Sequence, residues 1–168
     1  MLEVIDNFLP SPLFSSLVKK FCSVDMPWYL QHEVSAENDG HIQMTHVIYN
    51  YSKPESIYFD LLKPLYFSLN VYSLTRCKVN LLFPTPTIIE HGYHIDIPDS
   101  PSNAMSAVLY LNTNNGYTIF EDGKKVESVA NRLVKFSNFM PHSGSTNSCD
   151  APYRMVLNID YIEKGVTK

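Results

Sequence analysis

The stretch YRMVLNIDY, residues 153–161, alternates between two kinds of side chain over its whole length. Its odd-numbered positions are apolar or aromatic, whereas its even-numbered positions include Arg154, Asn158 and Asp160. Because successive side chains of a β-strand point to opposite faces of the sheet, the stretch predicts a strand with one core face and one largely polar face. Such a polar face either meets water or lines a pocket between two sheets.

The same alternation occurs in RCKVNLLF, residues 76–83, and in SAVLYLN, residues 106–112. Other short runs rich in β-branched and aromatic residues, separated by Pro, Gly and Asn, lie between and beyond them. Short strands at this spacing predict a sandwich or barrel rather than alternating βα units. We therefore expect a mainly β protein with N-terminal helices, in which residues 74–162 form a cupin-like jelly roll, that is, a double-stranded β-helix.

Residues 1–73 predict a mixed, mainly helical buttress for this core. Residues 2–9 alternate like a short strand, and residues 11–22 predict an amphipathic helix with Ser11 as its N-cap and Pro12 at the first helical position. Apolar residues at helical spacing follow in residues 54–73, interrupted by a proline. No linker separates the two halves, so residues 1–168 are expected to form a single domain.

Composition narrows the class of protein. The 168 residues are 45% hydrophobic and carry a formal charge of −4 without basic clusters, which argues against a nucleic-acid partner. Three widely spaced cysteines without a C-x-x-C motif indicate a reducing compartment. No apolar run reaches the roughly 18 residues that cross a bilayer. We expect no membrane partner and a cytoplasmic location, in the host cytoplasm if the protein is phage-encoded; the sequence does not indicate an oligomeric state.

The segment HGYHIDI, residues 91–97, contains the first part of a predicted metal site. If the segment is a strand, His94 and Asp96 project from one face, whereas His91 points elsewhere. A third ligand is available in FMPHSGST, residues 139–146, which contains His142. Two histidines and one carboxylate that leave metal positions open are the arrangement found in non-haem Fe(II) oxygenases.

Arg154 makes this interpretation stronger than an H-x-D pair alone. Its planar guanidinium suits a carboxylate bound by two parallel hydrogen bonds, although an exposed strand arginine is the ordinary alternative. Tyr110 and Asn80, on the polar sides of two other predicted strands, are candidates for further hydrogen bonds to the same acid.

These segments together resemble the Fe(II)- and 2-oxoglutarate-dependent dioxygenases, specifically the prolyl 4-hydroxylase-like branch and its phage-encoded relatives, over roughly residues 74–162. The resemblance implies that the iron ligands are His94, Asp96 and His142. It also implies that Arg154 binds the distal carboxylate of 2-oxoglutarate, assisted by Tyr110. A Gly-x-Thr-x-Phe element of this family is present as residues 116–120. Animal collagen prolyl hydroxylases have a lysine in place of the arginine, which weakens any transfer of a collagen-like substrate.

The resemblance implies the reaction as well. Fe(II), with 2-oxoglutarate and O₂ as co-substrates and ascorbate as a further cofactor in some members, would support decarboxylation of 2-oxoglutarate to succinate and hydroxylation of a substrate C–H bond. A prolyl or other peptidyl residue is the expected substrate, with a small metabolite as the alternative. A non-catalytic, metal-stabilised jelly-roll binding module is a different hypothesis. A cupin-like metal isomerase or hydrolase is a third, against which Arg154 argues.

Other residues have weaker functional interpretations. Tyr93, Ile95 and Trp28 are candidates to cover the pocket, although buried aromatic residues more often belong to a core. His41 and His46 lie in a segment that this fold could bring near the substrate entrance, and ordinary loop histidines are the alternative.

Overall fold

The structure is a computed structural model that describes residues 2–35 and 40–165. Within these residues there are two α-helices, a single 3₁₀ turn at Asp60–Leu62 and eleven strands. The helices are α1 (Ser11–Phe21) and α2 (Lys63–Ser68). The strands are β1 (Leu2–Ile5), β2 (Tyr29–Gln31), β3 (Gln43–Asn50), β4 (Lys53–Pro54), β5 (Val71–Leu82), β6 (Ala104–Tyr110), β7 (Tyr117–Phe120), β8 (Lys125–Glu127), β9 (Leu133–Ser137), β10 (His142–Gly144) and β11 (Arg154–Glu163).

The strands form a large and a small antiparallel sheet. The large sheet has the order β1-β9-β6-β11-β5-β3-β2, with β4 paired to β3, and the small sheet has the order β10-β7-β8. Every pairing in both sheets is antiparallel. The expectation of a mainly β protein is therefore confirmed.

Two hydrophobic clusters lie on opposite faces of the large sheet. One joins both helices to the sheet, with Leu17 and Phe21 of α1 packed in the same cluster as Val79 and Leu157. The other lies between the two sheets; its buried members are Val108, Tyr110, Phe120, Val126, Val134, Phe136 and Val156. The side chains between the sheets are thus enclosed from both sides.

Strand β11 shows why its alternation pointed to a pocket. Met155, Leu157 and Ile159 are buried in the cluster on the helix side. Arg154 and Asn158 are on the opposite face and line a cavity between the sheets. Arg154 and Asn158 therefore face a cavity rather than bulk water.

The N-terminal region contributes more to the sheet than its sequence predicted. The polar interval of residues 32–46, which shows no clear period in the sequence, ends in the first four residues of β3, a strand that pairs with β5. Residues 36–39 of that interval lie outside the described residues. The helical pattern of residues 54–73 yields helix only at 60–68, since Val71 already begins β5. Helix α1 begins at Ser11 itself, with Pro10 in the N-cap position rather than Ser11. No helix in the described residues is long and apolar enough to cross a membrane.

Candidate metal centre

The segment that contains His94 and Asp96 is not the strand that the sequence predicted, and its backbone bends at Asp96. It contacts the small sheet through two isolated bridges, Glu90 with Ser145 and His94 with His142. In the second bridge the backbone N–H of each histidine donates to the carbonyl of the other, at 3.0 Å. Two residues far apart in sequence are thereby placed side by side without a continuous ladder.

His94, Asp96 and His142 form a group whose ligand atoms all lie within 4.8 Å of one another. The Nδ1 atom of His142 is 3.0 Å from the carbonyl oxygen of Met140, and Nδ1 of His94 is 3.3 Å from that of Gly92. A carbonyl only accepts hydrogen bonds, so each Nδ1 carries the proton and each Nε2 is left as the metal-binding nitrogen. The donor set is therefore two imidazole nitrogens and one carboxylate oxygen.

The two oxygens of Asp96 have different partners. Nη2 of Arg76 donates to Oδ1 at 2.6 Å, whereas Oδ2 lies 3.4 Å from Nε2 of His142. Burial would raise the pKa of Asp96, but His142, Arg76 and His94 together outweigh burial and lower it. Burial, followed by the nearby His142, lowers the pKa of His94. The carboxylate is thus ionised and His94 neutral, with Oδ2 as the oxygen facing the metal position.

Arg76 holds a second carboxylate as well. Its Nε atom donates to Oδ2 of Asp160 at 2.8 Å, so this one guanidinium joins two acids from different parts of the chain. Burial raises the pKa of Asp160 to about 7, with repulsion from Asp96 as the next cause, and Arg76 opposes that rise. The predicted polar face of β5 therefore contains a buried ion pair directly behind a metal ligand.

The network continues beyond Asp160 and returns to the metal segment. The hydroxyl of Ser106 donates to Oδ1 of Asp160 at 2.8 Å and lies 3.1 Å from Oδ1 of Asn138. The amide of Asn138 donates to the carbonyl of Ile97 at 2.7 Å. Because Ile97 directly follows Asp96, the network restrains both the side chain and the backbone of this ligand.

Arg154 contrasts with Arg76, because it has no acidic partner in the described part of the chain. It is 2% exposed. Its Nε donates to the hydroxyl of Ser128 at 2.8 Å, and its Nη2 donates to the carbonyl of Tyr117 at 3.2 Å. Burial lowers its pKa, yet an arginine remains protonated in proteins. The cavity between the sheets thus contains a buried cation that only neutral groups contact.

The Gly-x-Thr-x-Phe element surrounds this arginine. A Cβ at Gly116 would lie 2.7 Å from Cδ of Arg154 and 2.7 Å from the carbonyl oxygen of Thr146, so only glycine fits. Thr118 lines the cavity and is 3.4 Å from Nη2 of Arg154. Phe120 packs near the ring of His142, with centroids 6.2 Å apart. Each member of the element thus supports Arg154 or a predicted metal ligand.

The structure places the other two predicted co-substrate residues differently. Asn80 lines the cavity, and its buried Oδ1 has no hydrogen-bond partner in the described residues. Tyr110 is fully buried behind the cavity, with its hydroxyl 2.8 Å from Oγ1 of Thr118 and 3.1 Å from the carbonyl of Val126. Asn80 is therefore positioned to contact a ligand in the cavity directly, whereas the Tyr110 hydroxyl contacts Thr118 of the cavity lining.

Two neighbouring cavities share part of their lining, and we call them the inner and the outer cavity. The inner cavity lies between the sheets and is lined by residues that include Lys78, Asn80, His94, Asp96, His142 and Arg154. The outer cavity, of about 450 Å³, is lined by residues that include Gln31, Gln43, Thr45, Asn50, Arg76 and Lys78. Val34, Gln43 and Lys78 line both cavities, and Lys78 is the charged residue among these three.

Several weaker predictions do not place their residues at the metal centre. His46 forms hydrogen bonds with the carbonyl of Pro27 and the hydroxyl of Ser56, at 2.8 and 2.7 Å. His91 is outside the ligand group, as predicted, and its ring packs 4.9 Å from that of His41. Trp28 packs against the helix-side core. Tyr93 and Ile95 do not line either cavity in the described structure.

Sequence reasoning assigned no function to Arg76, Lys78 or Asp160. Each of the three lies on the same face of its strand as a residue that was selected. Arg76 and Lys78 share a face with Asn80, and Asp160 shares a face with Arg154. This shared strand face was the feature of the sequence that could have identified them. Their partners lie on other strands, however, and no local pattern indicates which charges meet.

Solved structures of other proteins have a similar fold. No family model matches the sequence, and no curated protein matches it. Among solved structures, the chain is similar to a Pseudomonas putida prolyl-4-hydroxylase (19% identity, TM-score 0.64, 97% of this chain and 92% of that chain covered). It is similar to a Burkholderia pseudomallei oxidoreductase of the 2OG-Fe(II) oxygenase family (13%, 0.70, 98% and 86%). It is also similar to a Trichoplax adhaerens prolyl hydroxylase in complex with a hypoxia inducible factor peptide fragment (16%, 0.63, 96% and 83%).

These similarities extend over nearly the whole chain, including the N-terminal region for which the sequence showed only a general likeness. At this level of identity they establish architecture rather than activity. The chain therefore has the fold of the prolyl 4-hydroxylase-like 2-oxoglutarate- and Fe(II)-dependent oxygenases, as its resemblance in sequence predicted.

Proposed function

We propose that the protein is an Fe(II)- and 2-oxoglutarate-dependent dioxygenase that hydroxylates a C–H bond of its substrate. The observation that carries the proposal is the pairing of two unsatisfied features in one cavity. A compact His-Asp-His group lies there together with a buried arginine that has no carboxylate partner in the described residues. A divalent cation satisfies the first, and the carboxylate of a second ligand satisfies the other.

The residues fit Fe(II). His94 and His142 present Nε2 atoms, and Asp96 presents Oδ2, because the remaining polar atoms of these side chains are occupied by protein partners. Three protein ligands leave coordination positions open for a co-substrate and O₂, which a closed four-ligand structural site does not. When bound, the iron would couple oxidation of 2-oxoglutarate to succinate and CO₂ with oxygen insertion into the substrate.

The residues also fit 2-oxoglutarate. Arg154 would bind the distal carboxylate through Nη1, the nitrogen that donates no hydrogen bond to a described protein atom, with Thr118 beside it. Asn80 offers an amide within the same cavity. Tyr110 would hold Thr118 in place. These groups would orient the dianion within the cavity and exclude water from its distal carboxylate, since Arg154 is buried between the sheets.

A prolyl or other peptidyl residue is the substrate that we propose, in line with the prolyl hydroxylases among the structures of the same fold. A small metabolite is the alternative, because the fold does not decide what enters the outer cavity. We further propose that the protein acts in the cytoplasm and forms one domain.

The test is a co-substrate titration followed by a turnover assay. Calorimetry with Mn(II)-loaded protein should show binding of one 2-oxoglutarate, and Fe(II)-loaded protein with ascorbate should release succinate in the presence of substrate. His94→Ala should abolish both. His32→Ala is the matched control, since this exposed histidine is outside both cavities.

Two results would contradict the proposal. Stoichiometric metal binding without affinity for 2-oxoglutarate would indicate a metal-stabilised binding module. Succinate release that persists in His94→Ala would place the active metal elsewhere.

A further inference from the structure

The outer cavity differs in chemistry from the inner one. Its lining is dominated by amide, hydroxyl and cationic side chains, among them Gln31, Thr45, Asn50, Arg76 and Lys78. Its volume of about 450 Å³ is within the range of pockets that take small ligands. Since Lys78 lines both cavities, a molecule bound in the outer cavity would lie next to the cavity that contains the predicted metal ligands.

The two cations of the outer cavity are not equivalent. Arg76 is neutralised, because Asp96 and Asp160 both accept hydrogen bonds from it, at 2.6 and 2.8 Å. Lys78 forms no ion pair and no hydrogen bond with any residue that the structure describes, although its side chain is largely enclosed by the walls of both cavities. Glu33, an acid on the same lining, is exposed and is not paired with Lys78.

The charges of the loaded centre leave Lys78 as the remaining cation. A divalent metal, the Asp96 carboxylate, a dianionic co-substrate and Arg154 balance one another. Arg76 and an ionised Asp160 balance each other as well, and protonation of Asp160 would only add positive charge. An ammonium in a partly desolvated position without an ion-pair contact favours an anion.

We propose that the outer cavity binds the primary substrate through a carboxylate group held by Lys78, with amide and hydroxyl side chains of the cavity contacting the rest of the molecule. This inference rests on the proposed oxygenase function and names the chemical class of its substrate. The carboxylate belongs either to a free amino acid or to an acidic side chain next to the reacting residue of a peptide. An uncharged peptide segment would leave Lys78 uncompensated.

The experiment compares carboxylates with their neutral amides. Protein saturated with Mn(II) and 2-oxoglutarate is titrated calorimetrically with L-proline and L-prolinamide. In a second arm it is titrated with the blocked peptides Ac-Ala-Pro-Glu-Ala-NH2 and Ac-Ala-Pro-Gln-Ala-NH2. In at least one arm the carboxylate member should bind about tenfold more tightly or better, the usual scale for a charge-assisted contact. The arm that shows the preference identifies the source of the carboxylate.

Variants of Lys78 then locate the contact. Lys78→Met should remove the preference and weaken carboxylate binding far more than 2-oxoglutarate binding, and Lys78→Arg should retain part of it. Lys124→Met, at an exposed lysine outside both cavities, is the matched control. The circular dichroism of each variant reports whether it is folded.

Equal binding of acid and amide in both arms, including no binding by either, would overturn the inference. So would a Lys78→Met variant that loses 2-oxoglutarate binding while keeping the carboxylate preference, since Lys78 would then serve the co-substrate. Failure of the wild-type protein to bind 2-oxoglutarate at all, measured before either arm, would instead overturn the proposed function.

Discussion

Arg76 and Arg154 are both held within the fold close to the predicted metal ligands, yet their charges are balanced in different ways. Arg76 binds two carboxylates of its own chain, Asp96 and Asp160. Arg154 contacts only neutral groups among the described residues. A buried charge without an opposite charge nearby is energetically unfavourable. Arg76 has carboxylate partners in the protein, whereas Arg154 requires a carboxylate from a ligand. The comparison separates a positioning arginine from a ligand-binding one.

The largest effect should follow from removing the unpaired arginine. Arg154→Gln is expected to weaken 2-oxoglutarate binding by about 100-fold or more, because a buried charged contact is worth several kcal/mol. Metal affinity should remain close to that of the wild type. Calorimetric titrations with Mn(II) and then 2-oxoglutarate measure both quantities. Arg154→Lys, which keeps the charge without the planar fork, should fall between the two proteins. Wild-type co-substrate affinity in Arg154→Gln would remove the distinction between the arginines.

Removing Arg76, the paired arginine, should weaken metal binding rather than 2-oxoglutarate binding. Arg76→Met is expected to reduce metal affinity by about 10–100-fold, since Asp96 loses the partner that orients it. Leaving Asp160 buried without a cation should also lower the free energy of unfolding by about 3–5 kcal/mol. Competition titrations with Co(II) and urea unfolding provide the two measurements.

Two further variants test whether a lower metal affinity of Arg76→Met is caused only by unfolding. Arg76→Lys keeps a cation behind Asp96 and should restore part of the metal affinity. Arg132→Met removes an arginine whose partner Asp6 is mostly exposed, and it should alter neither measurement strongly. Unchanged metal affinity in a folded Arg76→Met protein would show that Asp96 needs no positioning.

The buried partner of Arg76, Asp160, also predicts that the stability of the metal-free protein depends on pH. The pKa of Asp160 is raised from 3.8 to about 7 in the folded state, chiefly by burial. Between these values the folded protein keeps a proton that the unfolded chain has released, so this group makes the fold less stable as the pH rises from about 4 to 7. Asp160→Asn cannot titrate, and it should reduce that fall by a few kcal/mol.

Urea unfolding of both proteins at a series of pH values, with a chelator present, provides the test. The difference between the two curves isolates Asp160 from other titrating groups. A difference that is flat from pH 4 to 7 would mean that Arg76 keeps Asp160 ionised throughout this range.

The smallest effect should come from the residue that supports the unpaired arginine indirectly. Tyr110→Phe removes the hydroxyl that contacts Thr118 and the carbonyl of Val126. We expect a loss of about 1–2 kcal/mol in stability and less than a tenfold decrease in 2-oxoglutarate affinity. A loss as large as that of Arg154→Gln would instead show that Tyr110 contacts the co-substrate directly. Thermal unfolding and the same calorimetric titration distinguish the two cases.

The predictable parts of the fold were those with a short sequence period. The alternation in β5, β6 and β11 indicated which face each side chain takes, and the arrangement of Arg154 and Asn158 around the cavity followed from it. Strand β3 was missed because both of its faces are largely buried: Thr45 lines the outer cavity, while Ile48 lies in the core. A strand buried on both faces lacks the polar and apolar alternation by which strands are recognised.

The predicted strand around His94 failed for a related reason. Its residues alternate as a strand would, but only isolated bridges join it to the small sheet. His94 and Asp96 still belong to one ligand group, and the bridge between His94 and His142 fixes the segment there without a ladder.

The sequence by itself determined the strand faces, the metal ligands as a hypothesis and the family resemblance, since all three depend on residue types at fixed local spacing. Only the tertiary structure decided which charges are balanced. Arg76 and Arg154 both lie at polar positions of alternating strands, and their local sequence does not distinguish them. Asp96 and Asp160 reach Arg76 from 20 and 84 residues away, and none of the described acids reaches Arg154. The partners of a buried charge are distant in sequence, so they are brought together only when the chain folds.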